Sequence, residues 1–270
     1  MRALAERLVT VPGVVAVALG GSRARGTHRP DSDHDLGLYY RGALDVEALQ
    51  ALATEVADGP VEVTRPGAWG PWVDGGGWLT VKGQAVDWIY RSLDRVEAVW
   101  ADCAAGRYTV DFQVGHPLGF YSYAYAGEVA LCRLLADPAG ELAALQRRDY
   151  PPALGAALVA GLWEADFAIA NAKKGAAGGD PAYVAGCLFR AVGVLCHALH
   201  GHARRWVVNE KGLVASAATL PGAPPGLPAR VGDLLGSAGT TPDHLAATVA
   251  SAAVLAGEVR SAVGFVVPPS

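Results

Sequence analysis

Residues 20–36 constrain the chain most, because an apolar run ends there in a glycine turn that is followed by two alternating aspartates. The preceding run, Val14–Leu19, is short and rich in β-branched residues, which is typical of a buried strand. Gly20 and Gly21 have no side chains, so they allow a tight turn and close approach of the backbone. Ser22 follows at a predicted helix start, where N–H groups attract phosphate oxygens. The segment predicts a phosphate-binding turn, although Gly-Gly-Ser is also typical of an ordinary turn.

Two aspartates open the next predicted strand. In residues 33–40 apolar side chains alternate with other residues, as they do on a half-buried strand. Side chains two positions apart lie on one face, so Asp33 and Asp35 are expected to project together, about 6–7 Å apart. Two carboxylates this close repel each other unless a cation neutralises them, which predicts a site for a hard metal ion. A solvated acidic strand start is the alternative.

A third carboxylate interrupts a later apolar run. Asp87 lies within Ala85–Tyr90, and a buried, unpaired carboxylate in a strand is costly. A metal-binding or catalytic role explains this position. The alternative places Asp87 at a wet edge of the sheet or opposite a cation such as Arg91.

These residues resemble a known pattern. Gly21-Ser22 ahead of Asp33-x-Asp35, with Asp87 on a later strand, is similar to the signature of the DNA polymerase β-like nucleotidyltransferase superfamily. Within it, the chain most resembles the small bacterial antibiotic nucleotidyltransferases of the aminoglycoside and lincosamide type. The resemblance covers the N-terminal third of the chain and does not specify the acceptor.

The resemblance implies a role for each of these residues. Asp33 and Asp35 would ligate Mg²⁺, and two Mg²⁺ ions would be bound. Gly21 and Ser22 would hold the triphosphate of ATP or another NTP. Asp87 would complete the metal site and act as general base on the acceptor hydroxyl. General chemistry agrees, since paired metal ions about 3.5–4 Å apart can stabilise both the attacking and the leaving oxygen.

Two basic residues are candidates for contact with the nucleotide phosphates. Lys211 resembles the C-terminal lysine that contacts phosphates in some adenylyltransferases, and lysine suits that task as a point charge. It is also typical of a solvated helix end, where a cation faces the negative end of the dipole. Arg25 lies close enough to Ser22 to reach a phosphate, or it pairs with Asp31 or Asp33 and braces the loop.

An aromatic and acidic helical segment is the candidate acceptor site. Trp163 offers a stacking surface, and Glu164 and Asp166 offer negative charge that would suit a cationic acceptor such as an aminoglycoside. Against this, Trp163 and Phe167 are four residues apart, which is typical of a core-facing helix stripe, and neighbouring acids are typical of the wet face.

Composition narrows the partner classes. A formal net charge of −4 argues against a nucleic-acid partner, which needs a basic surface. No apolar run of about 18–20 residues lacks charges or Gly and Pro breaks, so no membrane association is expected. The four cysteines form no CxxC pair and are expected to be reduced thiols of a cytoplasmic protein. The oligomeric state is not predicted.

The order of the patterns predicts an α+β protein in two domains. Residues 1–95 would form a polymerase β-like α/β domain with a mixed sheet, and residues 96–270 a helical bundle, with the active site in the cleft between them. Trp69 and Trp72, in the predicted loop 66–77, are expected to pack on the sheet, and the alternative is that they cover a nucleotide base. The predicted strands are Val14–Leu19, Leu36–Tyr40, Val61–Thr64, Trp78–Val81 and Ala85–Tyr90. The predicted helices are Met1–Leu8, Leu44–Val56, Ser122–Leu135, Glu141–Arg148, Pro152–Ala172, Pro181–Leu199 and His244–Val263.

Patterns and resemblance together predict an Mg²⁺-dependent transferase. It would move a nucleoside monophosphate, AMP from ATP, to a hydroxyl of a small molecule such as an antibiotic and release pyrophosphate. Two alternatives stay open: a protein adenylyltransferase of the toxin–antitoxin type, and a non-catalytic nucleotide-binding regulatory module. The intact set of three acids argues against the second.

Overall fold

A computed structural model describes residues 1–265 of the chain. The chain divides into two compact units. The first comprises Met1–Asp102 with Tyr108–Asp149, and the second comprises Cys103–Arg107 with the described residues from Tyr150 onward. This division differs from the predicted boundary after residue 95, because residues 108–149 return to the first unit.

The first unit is built on a mixed five-stranded sheet, as predicted. Its strands are β1 (Val14–Leu19), β2 (His34–Tyr40), β3 (Gly76–Val81), β4 (Gln84–Ser92) and β7 (Arg133–Ala136). The spatial order is β3-β4-β2-β1-β7, with β2 and β4 parallel and the other pairs antiparallel. A separate two-stranded ribbon joins β5 (Val110–Asp111) to β6 (Phe120–Tyr121).

One face of this sheet is the core of the unit. Leu36 lies beside Trp88, and Leu38 beside Tyr90, and all four side chains are fully buried. They pack with apolar residues of the helices α1 (Arg2–Leu8) and α3 (Val46–Val56). Because side chains alternate along a strand, the residues between them, including Asp35 and Asp87, lie on the opposite face.

Four other helices belong wholly or mainly to the first unit within residues 1–265. They are α2 (Gly21–Arg25), α4 (Leu93–Ala104), which runs into the second unit, α5 (Ala124–Leu131) and α6 (Glu141–Gln146). Arg41, just after β2, pairs with Asp94 and Glu97 of α4 and with Glu141 of α6. This one guanidinium therefore ties the end of β2 to two helices.

The second unit is helical, as predicted. Its helices are α7 (Pro152–Ala160), α8 (Leu162–Ala177), α9 (Pro181–His202), α10 (Leu213–Ala217), α11 (Leu227–Gly236) and α12 (Pro242–Val263). The helices α8, α9 and α12 pack against one another. The predicted helix Pro152–Ala172 is in fact two helices that meet at Gly161.

Two predicted elements are wrong. Val61–Thr64 forms no strand, because Gln50 takes the place of a partner strand: its side chain donates to the Val61 carbonyl and accepts from the Val63 N–H, each at 2.9 Å. The predicted helix Ser122–Leu135 ends at Leu131, where Cys132 is extended. The chain then pairs with β1 as β7, which explains why this segment belongs to the first unit.

Among residues 1–265, three helical stretches are long and apolar enough to cross a membrane, judged by length and composition alone, although no such run was expected. They are Pro152–Ala177, Pro181–His202 and Pro242–Val263. Between 33% and 61% of each apolar window is buried inside the protein. The acids of the first stretch are paired, since Glu164 contacts Arg190 of the second and Asp166 contacts Arg260 of the third. The absence of membrane association stays a prediction.

Candidate metal centre

Three carboxylates converge on the sheet face opposite the core. Asp35 on β2 lies directly beside Asp87 on the parallel strand β4, and Asp33 immediately precedes β2. One ligand oxygen from each of the three lies within 4.8 Å of the others. Asp33 is exposed, and the other two are half-buried. Oxygen ligands from one or two carboxylates, completed by phosphate oxygens, are the set that Mg²⁺ prefers, so the chemistry of this cluster fits a hard divalent cation.

The surroundings of Asp87 disfavour the charged form of its carboxyl. Burial, followed by the negative charges of Asp33 and Asp35, raises the pKa of its carboxyl to about 6. The alternative partner, Arg91, is engaged elsewhere, since it donates two hydrogen bonds of 2.6 and 2.8 Å to Glu128. The ionised form of Asp87 is thus disfavoured until a cation arrives.

We expect Asp87→Asn to be more stable than the wild type at pH 7.5 when EDTA removes divalent cations. The raised pKa means that the wild type loses stability as pH rises from about 3.8, the ordinary value, to about 6. Asn carries no charge to lose a proton. The melting temperature of the variant should therefore exceed that of the wild type by a few degrees at pH 7.5, where 1 kcal/mol is worth roughly 2–4 °C. The gap should close by about pH 4.

Asp58 provides a control of opposite sign. Its carboxylate accepts hydrogen bonds from the N–H groups of Lys82 and Gly83, which lower its pKa. Asp58→Asn should therefore be less stable than the wild type at pH 7.5. Equal melting temperatures for wild type and Asp87→Asn across this pH range would show that the folded protein places no penalty on the Asp87 charge.

The glycine turn, Gly20 and Gly21, lies in contact with Asp35 of the acidic cluster. The Gly20 N–H donates to the Asp35 carbonyl at 2.7 Å. Gly21 has a φ of 60°, and a Cβ at this position would lie 1.7 Å from Asp35 Oδ2. Gly21 is also the first residue of α2, so Ser22 lies in the first helical turn, as predicted. The turn needs glycine here both for its backbone angle and for room beside the carboxylate.

Arg23 holds the loop that carries Asp33, a role that the sequence did not reveal. Its guanidinium donates to the carbonyls of Pro30, Ser32 and Asp33 at distances from 2.5 to 3.3 Å. Such contacts to main-chain oxygens leave no mark in a sequence pattern. The bracing role had been considered for Arg25 instead.

Arg25 makes neither of the two ion pairs considered for it. It is exposed, and it has no hydrogen bond or ion pair with any residue in the described range 1–265. Asp31 pairs with Arg29, at 3.4 Å. The side chain of Arg25 is therefore available to a ligand.

Lys211 belongs to the second unit, in the turn that precedes α10. Its N–H donates to Asn209 Oδ1 at 2.6 Å, and Gly212 caps the helix that follows. It therefore precedes a helix, so the alternative of a cation at a helix C-terminus is wrong. Contact between Lys211 and a nucleotide stays a prediction.

Trp163, Glu164 and Asp166 also belong to the second unit, on α8. Trp163 and Phe167 are 60% and 62% exposed, so they do not form the core stripe that their spacing had suggested. Glu164 pairs with Arg190 at 2.5 Å, and Asp166 pairs with Arg260. Because both acids already face a guanidinium, they offer a cationic acceptor less negative charge than expected.

Two comparisons with known proteins found similar proteins. Residues 1–63 match the family described as nucleotidyltransferase domain. The solved structure of a nucleotidyltransferase-like protein from Exiguobacterium sibiricum 255-15 is 14% identical over 97% of this chain and 75% of that one, with a TM-score of 0.41. No curated protein matches the sequence.

The matched segment contains β1, the glycine turn, Asp33 and Asp35, so the first unit carries a nucleotidyltransferase domain of the polymerase β-like type. Asp87 lies beyond the matched residues. The register between β2 and β4 is what brings it to the other two acids.

Proposed function

We propose that the protein transfers a nucleoside monophosphate, AMP from ATP, to a hydroxyl group of a small molecule and releases pyrophosphate. The observation that carries this proposal is the convergence of Asp33, Asp35 and Asp87 within 4.8 Å, beside the glycine turn. The resemblance to antibiotic nucleotidyltransferases supports a hydroxylated antibiotic as the acceptor class.

Asp33 and Asp35 would ligate two Mg²⁺ ions once the nucleotide is present. Asp87 would complete the set of carboxylate ligands. Bound Mg²⁺ supplies neutralisation of the triphosphate charge and stabilisation of the charge that develops on the leaving pyrophosphate. The three acids fit this task because their mutual repulsion is relieved when a cation binds.

Asp87 would accept the proton of the acceptor hydroxyl. The acceptor oxygen then forms a bond to the α-phosphorus, while the bond from that phosphorus to the bridging oxygen of pyrophosphate breaks. Bound Mg²⁺ would lower the pKa of this carboxyl from its metal-free value, so Asp87 would be ionised and able to accept a proton at neutral pH.

The glycine turn would receive the triphosphate. Gly21 lets the backbone of the turn lie against the Asp35 carboxylate, and Ser22 offers a hydroxyl and an N–H in the first turn of α2. Arg25 is exposed and its side chain has no hydrogen bond or ion pair among residues 1–265, so it can contact the phosphates. The four free thiols support a reducing, cytoplasmic setting.

The test is a pyrophosphate-release screen. The purified protein is incubated with Mg²⁺ and each NTP in turn, against a panel of aminoglycosides, lincosamides and other hydroxylated small molecules. The proposal predicts pyrophosphate with ATP and with one class of acceptor. Label transfer from ATP to a protein band in a lysate, with no small-molecule acceptor, would favour the protein-modifying alternative. Nucleotide binding without any pyrophosphate would favour the regulatory one.

A further inference from the structure

Trp78 lies beside the acidic cluster and is largely exposed. On β3 it is directly opposite Asp87 of the antiparallel strand β4. Directly opposed residues project on the same side of a sheet, with Cβ atoms about 4.5–5.5 Å apart. The flanking residues Gly77 and Leu79 face the core side, opposite Trp88 and Val86. Trp78 is 68% exposed, so its ring is accessible on the face of the sheet that carries Asp87.

A second indole supports the first. Trp69 stacks on Trp78 with ring centroids 4.4 Å apart and an interplanar angle of 16°. Room for this ring comes from Gly76, where a Cβ would lie 3.0 Å from the Trp69 ring and 1.8 Å from the Trp88 carbonyl oxygen. We name the two stacked rings, Trp69 and Trp78, the indole platform.

Hydrogen bonds to the Trp69 main chain hold the platform in place. The Trp69 N–H donates to the Asp74 carbonyl at 3.1 Å, and its own carbonyl accepts from Gln113 Nε2 at 2.6 Å. Gln113 is 3% exposed, and its Oε1 accepts from the Trp72 N–H at 3.1 Å. The loop that carries Trp69 is thus fixed by a buried amide, and a ligand that binds the platform meets a surface that is already ordered.

The strand order assigns the platform to one side of the site. Trp78 is on β3, Asp87 on β4 and Asp35 on β2, and the glycine turn follows β1. Asp87 therefore lies between the platform and the turn. If the turn holds the triphosphate, as the proposed function has it, the platform is on the side from which the acceptor approaches Asp87.

We propose that the indole platform binds the acceptor. The inference rests on the proposed function, and it names a substrate class: a cyclic molecule that lays a flat, apolar ring face on Trp78 while a ring hydroxyl reaches Asp87. Open-chain alcohols lack such a face and would be poor acceptors. Aromatic side chains are the usual lining for ligands of this shape.

Fragment binding followed by saturation-transfer NMR tests the proposal without turnover. The probes are cyclohexanol and methyl α-D-glucopyranoside, which carry hydroxyls on the ring, and glycerol as the open-chain comparison, each with Mg²⁺ and a non-hydrolysable ATP analogue. We expect a cyclic probe to bind the wild type through its ring protons and glycerol not to bind. Trp78→Ala should weaken the cyclic probe at least about fivefold, the lower end of ring-stacking effects.

Three controls make the result specific. Trp78→Phe keeps a ring and should retain part of the affinity. Phe112→Ala removes another ring of the first unit, which is 85% exposed and belongs to neither the platform nor the acidic cluster, and should leave probe binding unchanged. Affinity for the ATP analogue, measured alongside, should be the same in Trp78→Ala as in the wild type, and melting temperatures verify that each variant is folded.

Several results would overturn the inference. They are failure of both cyclic probes to bind the wild type, equal binding by Trp78→Ala, and loss of the ATP analogue instead of the probe, which would make the platform a base-binding surface. Failure of the proposed reaction is recognised separately. Probe binding that depends on Trp78, together with no pyrophosphate release, would leave the binding surface in place and remove the reaction.

Discussion

Asp35→Asn should lose nucleotidyl transfer by at least about 10²–10³-fold, the size of effect that follows removal of one preorganised charge-stabilising group. Asp35 is at the centre of the cluster, since it lies beside Asp87 in the strand register and against Gly21 in the turn. Asn keeps the shape and removes one negative charge, so the fold should survive while the affinity for a divalent cation falls. The measurement is the rate of pyrophosphate release with the donor and acceptor that the screen identifies.

Asp31→Asn is the matched control for this loss. Asp31 is an exposed acid on the loop that leads into β2, its pairing with Arg29 is solvent-exposed, and it is not one of the three converging acids. Solvent-exposed ion pairs of this kind contribute little to the free energy of unfolding. The Asp31 variant should therefore transfer as the wild type does. If Asp31→Asn and Asp35→Asn lost activity equally, the loss would reflect the charge of the loop rather than the cluster.

Gly21→Ala should reduce transfer by roughly 10²-fold, the loss that about 1 Å of misplacement at a reacting centre can cause. The new methyl group would lie 1.7 Å from Asp35 Oδ2, so the carboxylate has to swing away from the other two acids. Because the displaced atom is at the end of a side chain, the fold can adjust. The expected result is a folded protein with a weakened metal site, measured by transfer rate and by melting temperature.

Gly26→Ala separates the two consequences of that change. Gly26 has a φ of 71°, close to the 60° of Gly21, but a Cβ there would meet nothing within 4 Å. Both variants carry the backbone penalty of an alanine at positive φ, about 1–2 kcal/mol. Only Gly21→Ala displaces a carboxylate. Similar melting temperatures with very different activities are expected, and equal activities would mean that the Gly21 contact does not position Asp35.

The sequence was most informative where the determinants are local. Short apolar runs predicted β1 and β4, alternation predicted β2, and the spacing of Asp33 and Asp35 placed both on one side of the sheet. The family match covers β1 and β2 but ends before β4. The position of Asp87 on a strand followed from its apolar neighbours, and the parallel register with β2 completes the cluster.

The errors arise from contacts between residues far apart in the chain. Gln50 replaces a strand partner for residues 61–63, and no local pattern encodes that. β7 was interpreted as the end of a helix because its short apolar run suits either structure, and its pairing with β1 decides the outcome. Arg23 was missed because its partners are main-chain carbonyls.

The role of Trp78 was missed for a similar reason. Trp78–Val81 was recognised as part of a strand, but the strand pattern does not reveal which acid lies opposite which ring. Register is set by the pairing of β3 with β4, and that pairing puts Trp78 next to Asp87. In the helical second unit, Glu164 and Asp166 each form an ion pair with an arginine, so neither acid offers a ligand a contact comparable to that of Asp87.

A Mn²⁺ titration followed by electron paramagnetic resonance tests the central claim most directly, because Mn²⁺ takes the same oxygen ligands as Mg²⁺. The free-ion signal is recorded as the metal is added to wild type, Asp31→Asn and Asp35→Asn, each with a non-hydrolysable ATP analogue. We expect saturable binding to the wild type and to Asp31→Asn, and a marked loss in Asp35→Asn. Equal binding by all three proteins would contradict the assignment of a metal site to Asp33, Asp35 and Asp87.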